Sequence, residues 1–218
     1  MNKIISIEQA AAKVHDGATV MFGGFMANGS AENVIDALLE KNVQNLTIIC
    51  NDSGLVDKGV GKLIVNRQCT RLIATHIGLN KETGRQMTAG ELIVELVPQG
   101  TLVEQIRCGG YGLGGVLTRT GLGTLIEEGK QKVDVDGVTY LLEKPLRADF
   151  AVLFGSVVDK NGNIAYHGST NNFNHVMAAA ADVTIVEAEK IVELGELDPN
   201  HVVTPGVFVH YIADRSMR

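Results

Sequence analysis

Two glycine clusters and two carboxamides are the residues of this 218-residue chain whose types and spacing best suit chemistry. Gly23-Gly24-Phe25-Met26-Ala27-Asn28-Gly29 joins an apolar run at residues 18–22 to a helical pattern that Ser30 is placed to cap. A turn from a buried strand into a helix presents backbone N–H groups and the positive end of the helix dipole, and glycine lets a phosphate reach the main chain. An ordinary tight turn explains the same residues equally well. Asn51 follows the apolar run at residues 46–50, and Gln99 ends a strand-like run before a helical one. Ligands of α/β sheets gather at such carboxyl ends. There the two amides would hold a carboxylate or oxo group, although turn chemistry alone also accounts for them.

The second cluster, Gly109-Gly110-Tyr111-Gly112-Leu113-Gly114-Gly115, contains G-x-G-x-x-G at Gly110, Gly112 and Gly115. Asp134 and Asp136 follow about 20 positions on, as in a dinucleotide fingerprint. That fingerprint needs a strand before the glycines and a helix after them. Residues 101–106 instead read as a helix opened by a capping box of Thr101 and Glu104, and residues 116–121 do not start one. An NAD(P)-binding oxidoreductase domain therefore stands as an alternative, beside a non-catalytic small-molecule-binding domain of related fold. The cluster retains a backbone that approaches a ligand or a partner chain, with Gly109 and Gly110 as candidate oxyanion donors.

Other chemistries lack their residues. The six histidines show no H-x-x-x-H or H-E-x-x-H spacing, so no metal site is expected. His76, after a strand-like run at residues 71–75, reads as a loop histidine. Cys50, Cys69 and Cys108 are far apart, form no C-x-x-C pair and read as inert buried thiols. No G-x-S-x-G elbow is present.

The elements that must position these groups alternate. Ser6 and Gln9 form a capping box ahead of a helix, and Asp16-Gly17 stops it. Strand-like runs at residues 18–22, 46–50, 71–75, 92–97, 150–154 and 183–186 are separated at several places by helical segments. An Asp-Gly turn within residues 133–140 and an Asn-Gly turn within residues 157–164 mark two hairpins. The expected fold is α/β: an open, largely parallel sheet with flanking helices and a β-rich excursion near residues 110–145, in one domain over residues 1–218.

Composition limits the partners. Nineteen Lys+Arg against 25 Asp+Glu give a net charge of −6, which argues against duplex nucleic acid. No stretch reaches the roughly 18 apolar residues of a membrane helix. The opening Met-Asn-Lys-Ile-Ile-Ser lacks the apolar region of a secretory leader, so a cytoplasmic protein is expected.

Residues 16–29, Asp-Gly-Ala-Thr-Val-Met-Phe-Gly-Gly-Phe-x-x-x-Gly, resemble the first signature of the two-subunit family I CoA-transferases. Residues 98–110, Pro-Gln-Gly-Thr-Leu-Val-Glu-Gln-Ile-Arg-Cys-Gly-Gly, resemble a second block, and Thr118-x-Thr120-Gly121-x-Gly123-Thr124, Asn172-Phe173-Asn174 and Thr204-Pro205-Gly206 match further along. The chain is similar to the α chain of the enzymes that act on 3-oxoacids or on acetate, butyrate and acetoacetate. The resemblance implies transfer of CoA between short-chain carboxylic acids through an acyl–glutamyl anhydride and a glutamyl-CoA thioester. It places the nucleophilic glutamate in a partner β subunit, commonly in an α2β2 assembly, so no catalytic residue is expected in this chain. Glu104 precedes a glycine run, but a capping role accounts for it. Coenzyme A enters as substrate, no cofactor is bound, and residues Gly23 to Gly29 correspond to the CoA-binding turn. The chain departs from the family at Ala31, where proline is usual, at Tyr111, where a small residue is usual, and at Asn171 and His175. These positions bear on substrate preference more than on reaction type.

Overall fold

The computed structural model describes residues 3–217. Short apolar runs become strands: β1 (Ile4–Ser6), β2 (Thr19–Phe22), β3 (Leu46–Cys50), β4 (Cys69–Ala74) and β5 (Ile93–Leu96), the first and last of these lying at the two edges of the sheet. Helices α1 (Ile7–Lys13), α2 (Glu32–Glu40), α3 (Gly61–Val65) and α4 (Lys81–Thr88) connect them, and α5 (Gln99–Gly110) follows β5. Strands β6 (Val116–Thr118), β7 (Lys132–Val135) and β8 (Val138–Glu143) form a separate antiparallel sheet, the expected β-rich excursion. The chain returns to the first sheet with β9 (Ala148–Asp159), its short antiparallel partner β10 (Ile164–Ala165), α6 (Asn174–Met177), β11 (Ala181–Val192) and β12 (Tyr211–Asp214).

The large sheet runs β1-β12-β11-β9-β2-β3-β4-β5 with every neighbouring pair parallel. Strand alternation sorts its side chains into two layers. Val20, Phe22, Ile48, Leu72 and Val152 pack with Ala10, Ile35, Leu38 and Leu63 of α1, α2 and α3. Met21, Ile49, Ile73, Ala151 and Leu153 pack with Leu102, Ile106, Val176 and Met177 of α5 and α6. Burial of each such Val, Leu, Ile or Phe stabilises the fold by about 1.5–3 kcal/mol. From β2 the chain passes through α2 to β3 on one side, and from β9 through α6 to β11 on the other. Strand order therefore reverses between β2 and β9, which opens a crevice beyond their carboxyl ends.

Both expected hairpins form. Asp136 (φ 51°) and Gly137 (φ 77°) join β7 to β8 with the two left-handed residues of a primed turn. Residues 159–163 join β9 to β10, with Asp159 Oδ1 accepting from the amides of Asn161 and Asn163 at 2.9 Å. The excursion is tied to α5 by the buried Glu143, which accepts from Gln105 Nε2 at 3.0 Å and from Lys130 Nζ at 2.5 Å.

The helix starts divide into one expectation met and two corrected. At α1, Gln9 N donates to Ser6 Oγ at 3.2 Å and Ser6 N to Gln9 Oε1 at 3.0 Å, the predicted box. Ser30 does not cap α2: its hydroxyl donates to Gly23 O at 3.4 Å. The buried Glu187 of β11 does the work instead, accepting from Val34 N at 2.9 Å, Asn33 Nδ2 at 2.8 Å and Arg215 Nε at 2.8 Å. Thr101 and Glu104 form no capping box, because α5 begins at Gln99 after Pro98 and places both inside the helix. Replacing Glu187 with Ala strands the Arg215 guanidinium and the Val34 amide. The expected loss is about 3 kcal/mol of unfolding free energy, read from urea denaturation against the parent chain.

Candidate functional site

Five segments meet at the carboxyl edge of the sheet: the turn after β2, Asn51-Asp52 after β3, Thr75-His76 after β4, Gln99 at the start of α5, and residues 169–175 before and within α6. All of them except Thr75-His76 line a cavity of about 700 Å³ whose wall includes Phe25, Met26, Asn51, Gln99, Val103, Arg107, Phe173 and His175.

The turn is held from three sides. Phe25 N donates to Asn28 O at 3.0 Å and Asn28 N to Phe25 O at 2.9 Å, closing a two-residue turn. Its central residues are Met26 (φ 51°) and Ala27 (φ 65°), both left-handed without glycine, at a cost of about 1–2 kcal/mol per residue. Met26 N donates to both carboxylate oxygens of Asp52 at 3.2 Å. Gly24 N donates to Asn172 Oδ1 at 3.0 Å, and Asn172 Nδ2 donates to Asn28 O at 3.1 Å. Asn174 donates from Nδ2 to Gly29 O at 2.9 Å and accepts at Oδ1 from Phe154 N at 3.0 Å. A Cβ on Gly23 would lie 1.8 Å from Asn174 Oδ1, so the close approach itself requires glycine there. Asn172-Phe173-Asn174 thus acts as a two-sided carboxamide clamp, a role that its sequence, read without the turn beside it, does not reveal.

The physical basis expected for this turn is corrected. Its amides at Gly23, Gly24, Phe25, Met26 and Asn28 already have protein acceptors. The start of α2 is filled by the Glu187 carboxylate. What the turn offers outward is side chain: Phe25 and Met26 are 40% and 49% exposed.

Asn51 and Gln99 are brought together. Gln99 Nε2 donates to Asn51 Oδ1 at 2.9 Å, and Thr75 Oγ1 donates to Asn51 O at 2.8 Å and to Oδ1 at 3.0 Å. Asn51 Nδ2 and Gln99 Oε1 have no partner among the described residues, leaving one donor and one acceptor for a ligand. Gln99, Val103 and Arg107 are spaced by four and share one face of α5 along the cavity. Arg107 pairs with Glu104 Oε2 through Nε at 2.7 Å and Nη2 at 2.6 Å. This pair holds the guanidinium pKa above its ordinary value. Partial desolvation at the cavity lowers the His175 imidazole pKa. Burial raises the Asp52 carboxyl, with the Met26 amide and His76 acting the other way.

Gly109 and Gly110 do not join this group. They end α5, where a Cβ would lie 1.9 Å from Leu146 O and 2.9 Å from Ala179 Cβ respectively, so their bareness serves packing. The G-x-G-x-x-G that starts here follows a helix and leads to β6, so the strand–turn–helix of a dinucleotide site does not form. All three cysteines are buried, and burial pushes the Cys69 thiol up to about 12. Among the described residues no group of metal-ligating side chains is found, and no helix is long and apolar enough to cross a membrane.

Comparison with known proteins adds to this geometry. A coenzyme A transferase family model matches residues 4–215. The chain is 53% identical over 210 residues to the alpha subunit of acetate CoA-transferase from Escherichia coli K12, covering 96% of each. It is 53% identical over 211 residues to the acetoacetyl-CoA:acetate/butyrate CoA transferase alpha subunit of Clostridium acetobutylicum, covering 97% of each. Among solved structures, an acyl-CoA transferase of E. coli O157:H7, as a thioester complex with CoA, superposes with a TM-score of 0.86 at 21% identity. The fold covers 99% of this chain and 47% of that one, so the chain spans about half of that larger protein. Glutaconate coenzyme A-transferase of Acidaminococcus fermentans superposes at 0.85 with 18% identity, covering 97% of this chain and 75% of that one. At such identities the likeness is one of fold. Gly23→Ala, which drives a methyl into the Asn174 carboxamide, is expected to lower stability by about 1–3 kcal/mol, measurable as a drop in thermal unfolding midpoint.

Proposed function

The chain belongs to the coenzyme A transferase family, and from that premise we propose that it is the α subunit of an enzyme moving CoA between acetate, butyrate and acetoacetate. The observation that carries this reading is 53% identity along nearly the whole chain to two α subunits named for those acids. We read residues 1–218 as one α-type domain acting in the cytoplasm, with coenzyme A as a substrate rather than a resident cofactor.

Exchange of CoA between carboxylic acids needs an attacking carboxylate that becomes an anhydride and then a thioester. Among the described residues, Glu104 is the one glutamate on the cavity wall, and Arg107 engages it through two N–H groups. This supports a nucleophilic glutamate supplied by a β subunit docked over the crevice, in an α2β2 assembly. This chain would contribute the other half of the site. The free Asn51 Nδ2 donates to a substrate carbonyl or carboxylate oxygen, and Gln99 fixes that amide through the 2.9 Å bond to Oδ1. Such preset donors gain strength as charge develops on oxygen in each tetrahedral step. Residues Gly23 to Gly29 form the CoA-side wall, with Phe25 and Met26 offering apolar surface to the acyl and pantetheine portion.

Two measurements test this. Alone, the chain is expected to show no transfer from acetoacetyl-CoA to acetate. Mixed with a β subunit, it should gain activity, with borohydride trapping the glutamyl-CoA adduct on the partner; an adduct on this chain overturns the reading. In the assembled enzyme, Gln99→Ala is expected to lower kcat by roughly 10²-fold while the unfolding midpoint stays within about 2 °C of the parent. Unchanged turnover with intact assembly removes Gln99 from the site.

A further inference from the structure

Asp52 is a buried carboxyl with no role in the chemistry above. It lies next to Asn51 at the carboxyl end of β3, and its backbone bridges to His76 after β4. Both of its oxygens accept from the amide of Met26, each at 3.2 Å, and its own amide and that of Gly54 face it from the loop after β3. No salt bridge joins it to a lysine or arginine among the described residues. Burial disfavours its charge more than the Met26 and Gly54 amides and His76 favour it, so the ionised form is held at a cost. A residue kept at such a cost, bonded to a strained turn in the wall of the cavity, points to a function of that turn.

Met26 and Ala27 lack the glycine that a primed turn prefers. Left alone, both residues favour negative φ. The Phe25–Asn28 hydrogen bonds close the turn, while Asn172 holds it on its flanks at Gly24 and Asn28. Asp52 is the group that holds its apex. Behind the apex, the α-carbon of Gly59 leaves room for Ala27: a Cβ there would stand 3.3 Å from Ala27 Cβ, so the packing accommodates the turn without fixing it.

We propose that Asp52 is a positioning residue, which through the Met26 amide keeps the Met26-Ala27 turn left-handed and so holds Phe25 and Met26 in place against the CoA substrate. This rests on the reading that the turn faces the CoA substrate. Loss of Asp52 would let the apex relax and withdraw that surface, leaving the Asn51–Gln99 pair intact.

The test is steady-state kinetics on the assembled α–β enzyme, with KM taken separately for acyl-CoA and for the free acid. Asp52→Ala is expected to raise KM for acyl-CoA about tenfold while KM for acetate changes less than about twofold. Asp52→Asn, which keeps one acceptor, is expected to raise it about threefold with an unfolding midpoint at or above the parent's. Adding Ala27→Gly removes the left-handed penalty and should recover most of the loss in either background. A role in general stability would lower the midpoint and leave KM per folded enzyme unchanged. Unaltered acyl-CoA KM in Asp52→Ala, or failure of Ala27→Gly to rescue, overturns the proposal; if the Ala variant does not fold, the Asn pair decides by the same criteria. Phe25→Ala separates this failure from that of the underlying reading. If Phe25→Ala also leaves acyl-CoA KM unchanged, the turn does not face CoA; if it raises KM while Asp52→Ala does not, only the role of Asp52 falls.

Discussion

The carboxamide of Asn174 ties its own loop to β9 and to the turn after β2. Its oxygen accepts the Phe154 amide of β9, and its nitrogen reaches the carbonyls of Gly29 and Thr170. These bonds lie beside the reversal of strand order between β2 and β9, where no continuous connection crosses the crevice. A buried amide with every group answered is worth more than its bonds taken singly, because an orphaned partner in that position costs about 1–3 kcal/mol. Gly23 is bare because Asn174 must lie against it, and Asn172 reaches the turn from the same loop. The rest of the site is arranged around a turn already fixed in this way.

Much of the scaffold is legible in the sequence because it rests on local pattern. Residues 46–50 form a strand with the expected bounds, since an apolar run covered on both faces has no other use. The Ser6–Gln9 box is likewise local. Where the partner is remote, local pattern misleads. Ser30 has the right type for a cap, but Glu187 occupies the helix start. The helix that starts at Gln99 rather than Thr101 is another case, as Pro98 already sets its entry. Within the site, Asn51 and Gln99 stand out as two amides at two strand ends, yet their bond depends on the order of β3, β4 and β5, which no single segment encodes. Asp52 leaves no signal at all, because a carboxylate beside an asparagine reads as part of a loop.

Negative charge is used here as internal fastening. Asp52, Glu143, Asp159 and Glu187 are all buried. Each receives N–H donors, and among the described residues only Glu143 and Glu187 are completed by a salt bridge. A carboxylate accepts from several donors at once and forms stronger bonds than a neutral oxygen. The acidic balance that argued against nucleic acid therefore has a structural component, with part of the charge turned inward.

The sheet order also sets a schedule. β2, β3, β4 and β5 are neighbours in sequence and in space, so half of the sheet can pair soon after it is made. β2 gains its other neighbour only when β9 arrives, after the whole of the small sheet, and Ile4 of β1 pairs with Ile212 of β12. Such distant pairings slow folding, because loop entropy is lost before contact energy returns. The crevice between β2 and β9 is thus among the last features to exist. A chain interrupted before β9 would hold a half-sheet with β2 as an open edge, and the surface exposed on that edge would belong to the future ligand site.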